Sequence, residues 1–268
     1  MSVLERLSIV APLGVRFRDR VTGDIISDGL EASVWPAGAP ERAVRGVEKR
    51  AGAFAFFGLP GMRAVEQGSG DSDFWDATPP QFPFVLALRD RLGRFLPLRL
   101  AVQLPVRGFL GLSTADPADV PPAQTSGPLA SIPLASAASR APLPAMAVIH
   151  AILFDAVHGE PAAWAVVEAT TEAAAGEQTT VTGIADGSGT LMLPMPWPAP
   201  ILTTSSGPPP PPLSGQKWQV TVSVRYRRRV PPPEVPDLAE ILSQPRVQTS
   251  TAELSFGREL VLRSTIIP

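Results

Sequence analysis

Proline punctuates nearly every apolar stretch of this chain, falling 32 times among 268 residues. It cannot donate a backbone hydrogen bond, and inside a helix it costs about 3 kcal/mol. Together with 22 glycines it makes up about a fifth of the sequence, against a usual share of roughly 12 %. Long helices are therefore disfavoured, whereas edge strands, turns and extended connections tolerate the composition. Between the breaks, apolar residues alternate with period two. Phe84, Leu86 and Leu88 fall on one face of FVLALRD, and Val220, Val222, Val224 and Tyr226 on one face of QVTVSVRYR. That is the pattern of antiparallel sheets with one buried face. The expectation is an all-β chain with at most one or two short helices. PDLAEILSQP is one such helix: Asp237 caps it, Glu240 stands three residues on, and Leu238, Ile241 and Leu242 form its apolar face.

The strand pattern is used twice. GVRFRDRVTGDII presents Phe17, Asp19 and Gly23 as a strand entering a tight turn, and HAILFDAVHGEPA presents Phe154, Asp155 and Gly159 in the same sense. Each is followed by a short strand-like run, at residues 30–35 and 164–168. A glycine-led apolar run ending in Leu-Pro comes next, GAFAFFGLP or GTLMLP, and then the alternating strands above. Each half ends in another strand pair, RFLPLRLAVQL or AELSFGRELVLR, the latter turning at Gly257 and Arg258. The expected organisation is a first antiparallel β-sandwich over 1–108, an extended Pro/Ala/Ser linker over 109–143, and a second sandwich over 144–268. A proline-rich loop at 198–217 belongs to the second module, and its five prolines at 208–212 favour polyproline II.

This order resembles the carboxypeptidase-regulatory-like, or prealbumin-like, sandwich. The resemblance lies in TGDIISDGLEASVW, AGAFAFFGLPG and FPFVLALRD of the first half. A narrower resemblance rests on DRLGRFLPLRLAVQLPVRG, PAAWAVVEAT and GIADGSGTLMLPMPWP. These are similar to segments of proteins encoded beside phage-tail-like contractile injection systems. The resemblance implies a structural part of such a particle, at its baseplate or cap, with other subunits as partners and no catalytic residues to carry over.

The chemistry-bearing residues are few. Cysteine is absent, which removes disulfides, thiolate metal sites and cysteine catalysis. His150 and His158 have no second histidine at ligand spacing, and GxSxG and GxxxxGK[ST] do not occur. No cofactor or metal site and no enzyme activity is expected. The formal net charge of −2 points to neither nucleic acid nor an anionic membrane. No uncharged stretch of about 18 apolar residues occurs, so no membrane span is expected. Glu5 and Arg6 break the first apolar run, so the chain is expected to be made in the cytoplasm without a signal peptide and incorporated into a particle that is released. Two clusters remain as partner-binding candidates. One is the arginine row Arg225, Arg227, Arg228 and Arg229, in which alternation puts Arg225 and Arg227 on the solvent face opposite Val224. The other is the acidic segment from Glu66 to Asp76, with Asp71 and Asp73 beside Phe74 and Trp75. Its alternating carboxylates suit calcium, but the closing ligands of an EF-hand are missing. The alternative reading is a soluble carbohydrate- or protein-binding pair of sandwich modules. Trp164, Trp197 and Trp218 are its candidate sugar platforms, although strand contexts favour burial for Trp164 and Trp218.

Overall fold

The computed structural model describes residues 9–68, 79–113, 123–172, 178–200, 212–231 and 233–266. They form an all-β protein of several antiparallel-rich sheets with two short helices. The chain divides into two compact units, one of residues 1–92, 97–134 and 237–239, the other of 93–96, 135–236 and 240–268.

The second unit is the simpler. Its strands are β12 (Met146–Asp155), β13 (Glu160–Pro161), β14 (Val166–Glu172), β15 (Gln178–Ile184), β16 (Thr190–Pro196), β17 (Lys217–Arg225), β18 (Arg246–Ser255) and β19 (Leu260–Ile266). One sheet centres on β12, antiparallel to β13 and β16 and parallel to β19. The other has the order β15-β14-β17-β18. Ile149, Ala151, Leu153, Leu191 and Leu193 from the first sheet join Val167, Ala169, Val220, Val222, Val224 and Leu254 from the second in one core. Burying each larger aliphatic side chain stabilises by about 1.5–3 kcal/mol before chain entropy is counted.

The first unit repeats this topology with β1 (Leu13–Asp19), β2 (Ile25–Ile26), β3 (Leu30–Pro36), β4 (Val44–Arg45), β5 (Val47–Lys49), β6 (Ala53–Phe56), β7 (Phe82–Asp90) and β8 (Leu98–Leu104). β1 is antiparallel to β2 and β6, as β12 is to β13 and β16. The order β4-β3-β7-β8 matches that of the second unit's four-stranded sheet. The shared turn fixes the alignment of the halves. Val21 N–H donates to Asp19 Oδ1 at 2.9 Å and Gly23 N–H to the Asp19 carbonyl at 3.0 Å. In the second unit Val157 N–H donates to Asp155 Oδ1 at 3.0 Å and Gly159 N–H to the Asp155 carbonyl at 2.9 Å. Counting back from the aspartates, the partner of Phe17 is Leu153. Both are buried, whereas Phe154, which the sequence pattern matched to Phe17, is 43 % exposed. A one-residue slip reverses the face of a strand residue.

The stretch expected as a linker without regular structure carries strands. β9 (Phe109–Ser113) and β11 (Ile132–Leu134) both run parallel to β1, and β10 (Ala123–Gly127) pairs with β9. In the second unit β19 follows β12 continuously from Ile149 to Asp155. In the first, that final-strand role is divided: Phe109 and Leu110 cover Gly14 and Val15, and Ile132 to Leu134 cover Phe17 to Asp19. The ends coincide. Arg20 N–H donates to the Leu134 carbonyl as Ala156 N–H does to that of Ile266. Proline and alanine disguised these strands, yet Leu110, Ile132 and Leu134 are almost wholly buried.

The expected helix is α2 (Leu238–Leu242), where Asp237 Oδ1 accepts from Ala239 N–H at 2.8 Å. A second, α1 (Arg63–Gly68), was not anticipated. Among the described residues no helix is long and apolar enough to cross a membrane. The proline-rich loop falls for the most part, at 201–211, outside the described residues.

Candidate functional site

Several charged and aromatic side chains of the second unit meet at the end where β12 turns into β13 and β17 runs out. Asp155, at the last position of β12, is fully buried. His158 N–H donates to Asp155 Oδ1 at 3.1 Å, and the His158 Nδ1 lies 2.9 Å from Oδ2. Burial alone would raise the Asp155 pKa. The hydrogen bonds from the His158 ring and backbone, the ring's charge and the Val157 N–H outweigh it and hold the carboxyl below its ordinary value. Tyr226, also buried, hydrogen-bonds to Asp155, and its phenol is pushed up to about 12 by burial first and then by the charges of Asp155 and Glu160.

The segment PAAWA supplies the next wall. Small alanines let the chain turn tightly from β13 into β14: Ala165 N–H donates to the Ala162 carbonyl, and Ala162 and Ala165 have no exposed surface. Trp164 stands at the corner with φ of +61°, not in the strand where the alternation placed it. That left-handed backbone costs a non-glycine residue about 1–3 kcal/mol. It is held by Trp164 N–H to the Asp186 carbonyl at 3.2 Å, and by Gln244 Nε2, which donates to the Trp164 carbonyl at 2.9 Å. Asp186 in turn organises the β15–β16 hairpin, its Oδ1 accepting from the N–H groups of Ser188 and Thr190. Gly189 is obligatory there, with φ of +75° and a would-be Cβ 2.4 Å from the Leu153 carbonyl oxygen.

The arginine row is divided among four environments. Arg225 is buried, a correction to its expected solvent exposure. Its Nη2 donates to Glu168 Oε1 at 2.7 Å and its Nη1 to the Leu242 carbonyl at 2.9 Å. Alternation rightly turns it away from Val224. However, that outer face is itself buried at Ser223 and Arg225, where the Leu242 carbonyl and Glu168 receive the guanidinium, so outward is not solvent there. Arg227 is exposed, and its N–H donates to Gln244 Oε1 at 2.7 Å. Arg228 meets Glu160 at two points, Nε to Oε1 at 2.6 Å and Nη2 to Oε2 at 3.3 Å. This pairing lowers the Glu160 pKa and raises that of Arg228. Arg229 is half-buried, with Nη1 donating to the Arg227 carbonyl at 3.4 Å. Burial lowers its pKa, an effect that the Glu240 charge opposes.

These groups frame a cleft of about 120 Å³ walled by Trp164, Tyr226, Pro161, Glu160, Gly187 and Arg229. The arrangement can bind: it offers aromatic and aliphatic walls with an arginine among the lining residues. Sequence reasoning missed Glu160, Tyr226 and Asp155 as parts of one site. The only signal was Glu160 standing directly after the turn glycine; its arginine lies 68 residues away.

Other candidates stand apart. Asp71, Asp73, Phe74 and Trp75 lie outside the described residues. Glu66, the first carboxylate of that segment, sits in α1, and its Oε1 accepts from the N–H groups of Gly58 and Leu59 at 2.6 and 3.2 Å. Trp218 and Trp164 are buried, while Trp197 packs on the core with its ring centroid 6.0 Å from that of Trp218 and 4.8 Å from that of Phe256. His150 Nε2 lies 3.5 Å from Glu259 Oε2.

No family model matches the chain, and no curated protein matches its sequence. Among solved structures, the chain is similar to the Bacillus anthracis TIE protein at 8 % identity and a TM-score of 0.25, over 96 % of this chain and 34 % of that one. It is also similar to a tetra-tandem repeat in the extending region of a large adhesion protein, at 10 % identity and a TM-score of 0.22, over 91 % of this chain and 50 % of that one. The chain thus spans about a third and a half of these two structures' lengths. Likenesses at this level carry no argument about what the chain does.

Proposed function

We propose that this chain is a non-enzymatic structural component of a phage-tail-like contractile injection particle, associated with its baseplate or cap. It is made in the cytoplasm and incorporated into a multiprotein particle that is released. The observation that carries this reading is where the resembling motifs sit. Phe95 and Leu96 of RFLP are buried, and Leu96 N–H donates to the Ala135 carbonyl at 3.0 Å. PAAWA makes the corner between sheets, and Asp186 with Gly189 makes a hairpin. Each motif serves the architecture of a sandwich, which suits a part whose task is shape and contact rather than turnover. The test is to tag the chain in the cell that produces it, isolate contractile particles by ultracentrifugation, and repeat the isolation from cells lacking the gene. The chain should co-sediment with particles, and particles from the deletion should be incomplete by electron microscopy. A chain left wholly in the supernatant, with complete particles formed without it, would overturn the proposal. Saturable glycan binding by that free chain would then favour the carbohydrate-binding alternative.

A further inference from the structure

We propose that the cleft beside Trp164 is a docking site for a glutamate side chain on an acidic segment of a protein partner, with Arg229 as its anchor. The inference deepens the assembly reading above by naming the chemistry of a contact. Its starting point is an imbalance within the arginine row. Arg225 is matched by Glu168 and Arg228 by Glu160. Among the described residues, Arg227 and Arg229 make no ion pair; Arg229 donates only to the Arg227 carbonyl, at 3.4 Å. A guanidinium carries five N–H donors in a planar fork, so most of those of Arg229 remain for a ligand. Arg229 is half-buried, and burial depresses its pKa, which marks a cation removed from water without a matching anion. Glu240 is close enough to be felt, yet it is exposed and forms no ion pair with Arg229.

Size and lining narrow the occupant. A cleft of about 120 Å³ is well below the roughly 300–1,000 Å³ of sites that take whole small molecules. That is room for one side chain of a few heavy atoms. Trp164, Tyr226 and Pro161 give apolar walls to a methylene stem, and Arg229 gives a bidentate partner to the carboxylate at its end. Glu160 also lines the cleft, and Arg228 already neutralises it. One unmatched cation beside one matched carboxylate suits a monoanion and disfavours a phosphate dianion. Exposed Arg227 adds a second positive charge close by, where an acidic segment would pass.

The test uses the full chain, isotope-labelled, titrated with two capped five-residue peptides that differ only in a central glutamate or glutamine. Binding is read from the Trp164 indole and the Arg229 side-chain resonances. The glutamate peptide should bind at least tenfold more tightly than the glutamine peptide. Arg229→Gln should abolish that preference, Arg229→Lys should keep part of it, and Arg227→Gln should weaken binding less than threefold. Equal binding of the peptides, no saturable binding, or an unchanged preference in a folded Arg229→Gln protein would overturn the site. So would a single-stranded oligonucleotide that perturbs the same resonances at lower concentration. Co-sedimentation keeps the two readings separate. A chain that selects glutamate but joins no particle sinks the assembly reading alone, and a chain that joins particles without selecting glutamate sinks this site alone.

Discussion

Arg225 and Glu168 show how a charge placed on a sheet's outer face becomes structural. Their side chains are 9 % and 7 % exposed and meet at 2.7 Å. Glu168→Gln leaves Arg225 buried without its counter-charge and should cost about 3–5 kcal/mol. Arg246, 3.7 Å from Glu168 and half-exposed, adds little. Replacing both partners, Glu168→Leu with Arg225→Met, should recover most of the loss, because an apolar pair of similar volume needs no compensation. Urea unfolding of the three proteins checks this, and a Glu168→Gln cost under about 1 kcal/mol would contradict it. The Asp155 cluster makes a pH statement with two signs. Asp155 has a depressed folded pKa, so its stabilisation is present above the unfolded value of about 4 and is lost as pH falls through the folded one. The deficit of Asp155→Asn relative to wild type should therefore shrink in acid. Tyr226 is shifted the other way. Its contribution is complete below about pH 10 and disappears as pH rises toward about 12. It is the only tyrosine in the chain, so a tyrosinate absorbance titration reports it alone. A midpoint near 10 would show that the phenol is neither buried nor held beside the Asp155 charge.

Elements were legible in the sequence wherever one face is buried and the other wet. Val220, Val222 and Val224 alternate because β17 has the core on one side and, up to Thr221, solvent on the other. The short helix was legible because its cap and apolar face lie within a few residues of one another. What stayed hidden depends on partners distant in sequence. β11 is three residues, Ile-Pro-Leu, buried throughout, and nothing local separates it from linker composition. It is a strand because β1 offers a free edge to it more than a hundred residues away. The same holds for the site: Glu160 and Arg228 find each other only after β12 and β17 have been placed in facing sheets. The strand reading of the supposed linker has a direct consequence. Ile132 is fully buried, so Ile132→Ala should cost about 2–5 kcal/mol, against less than about 0.5 kcal/mol for a residue in an exposed spacer. Denaturant melts of this variant against Leu129→Ala, at an 86 % exposed site, make the comparison internal.

At the scale of the whole molecule, each unit is closed by the strand that comes last. β12 pairs with β19 along seven residues, and β1 with the divided β9 and β11. Contacts between first and last strands carry a large loop-closure cost before they contribute, which makes such folds slow to form and dependent on the final segment. Removing residues 260–268 deletes β19. It uncovers the edge of β12 and takes Ile266 out of the core of the second unit, while every strand of the first unit remains in the chain. The truncated protein should therefore lose order in one unit only. Limited proteolysis should digest the region of β12 to β18 and leave a resistant fragment that contains β1 to β11. Fluorescence should shift toward that of solvated indole, since Trp164, Trp197 and Trp218 all lie in the second unit. If the truncated chain resists protease throughout, β19 is dispensable and the first-to-last pairing does not close the unit. If the whole chain is digested at one rate, the two units do not fold independently, and the repeated topology describes one cooperative body rather than two modules.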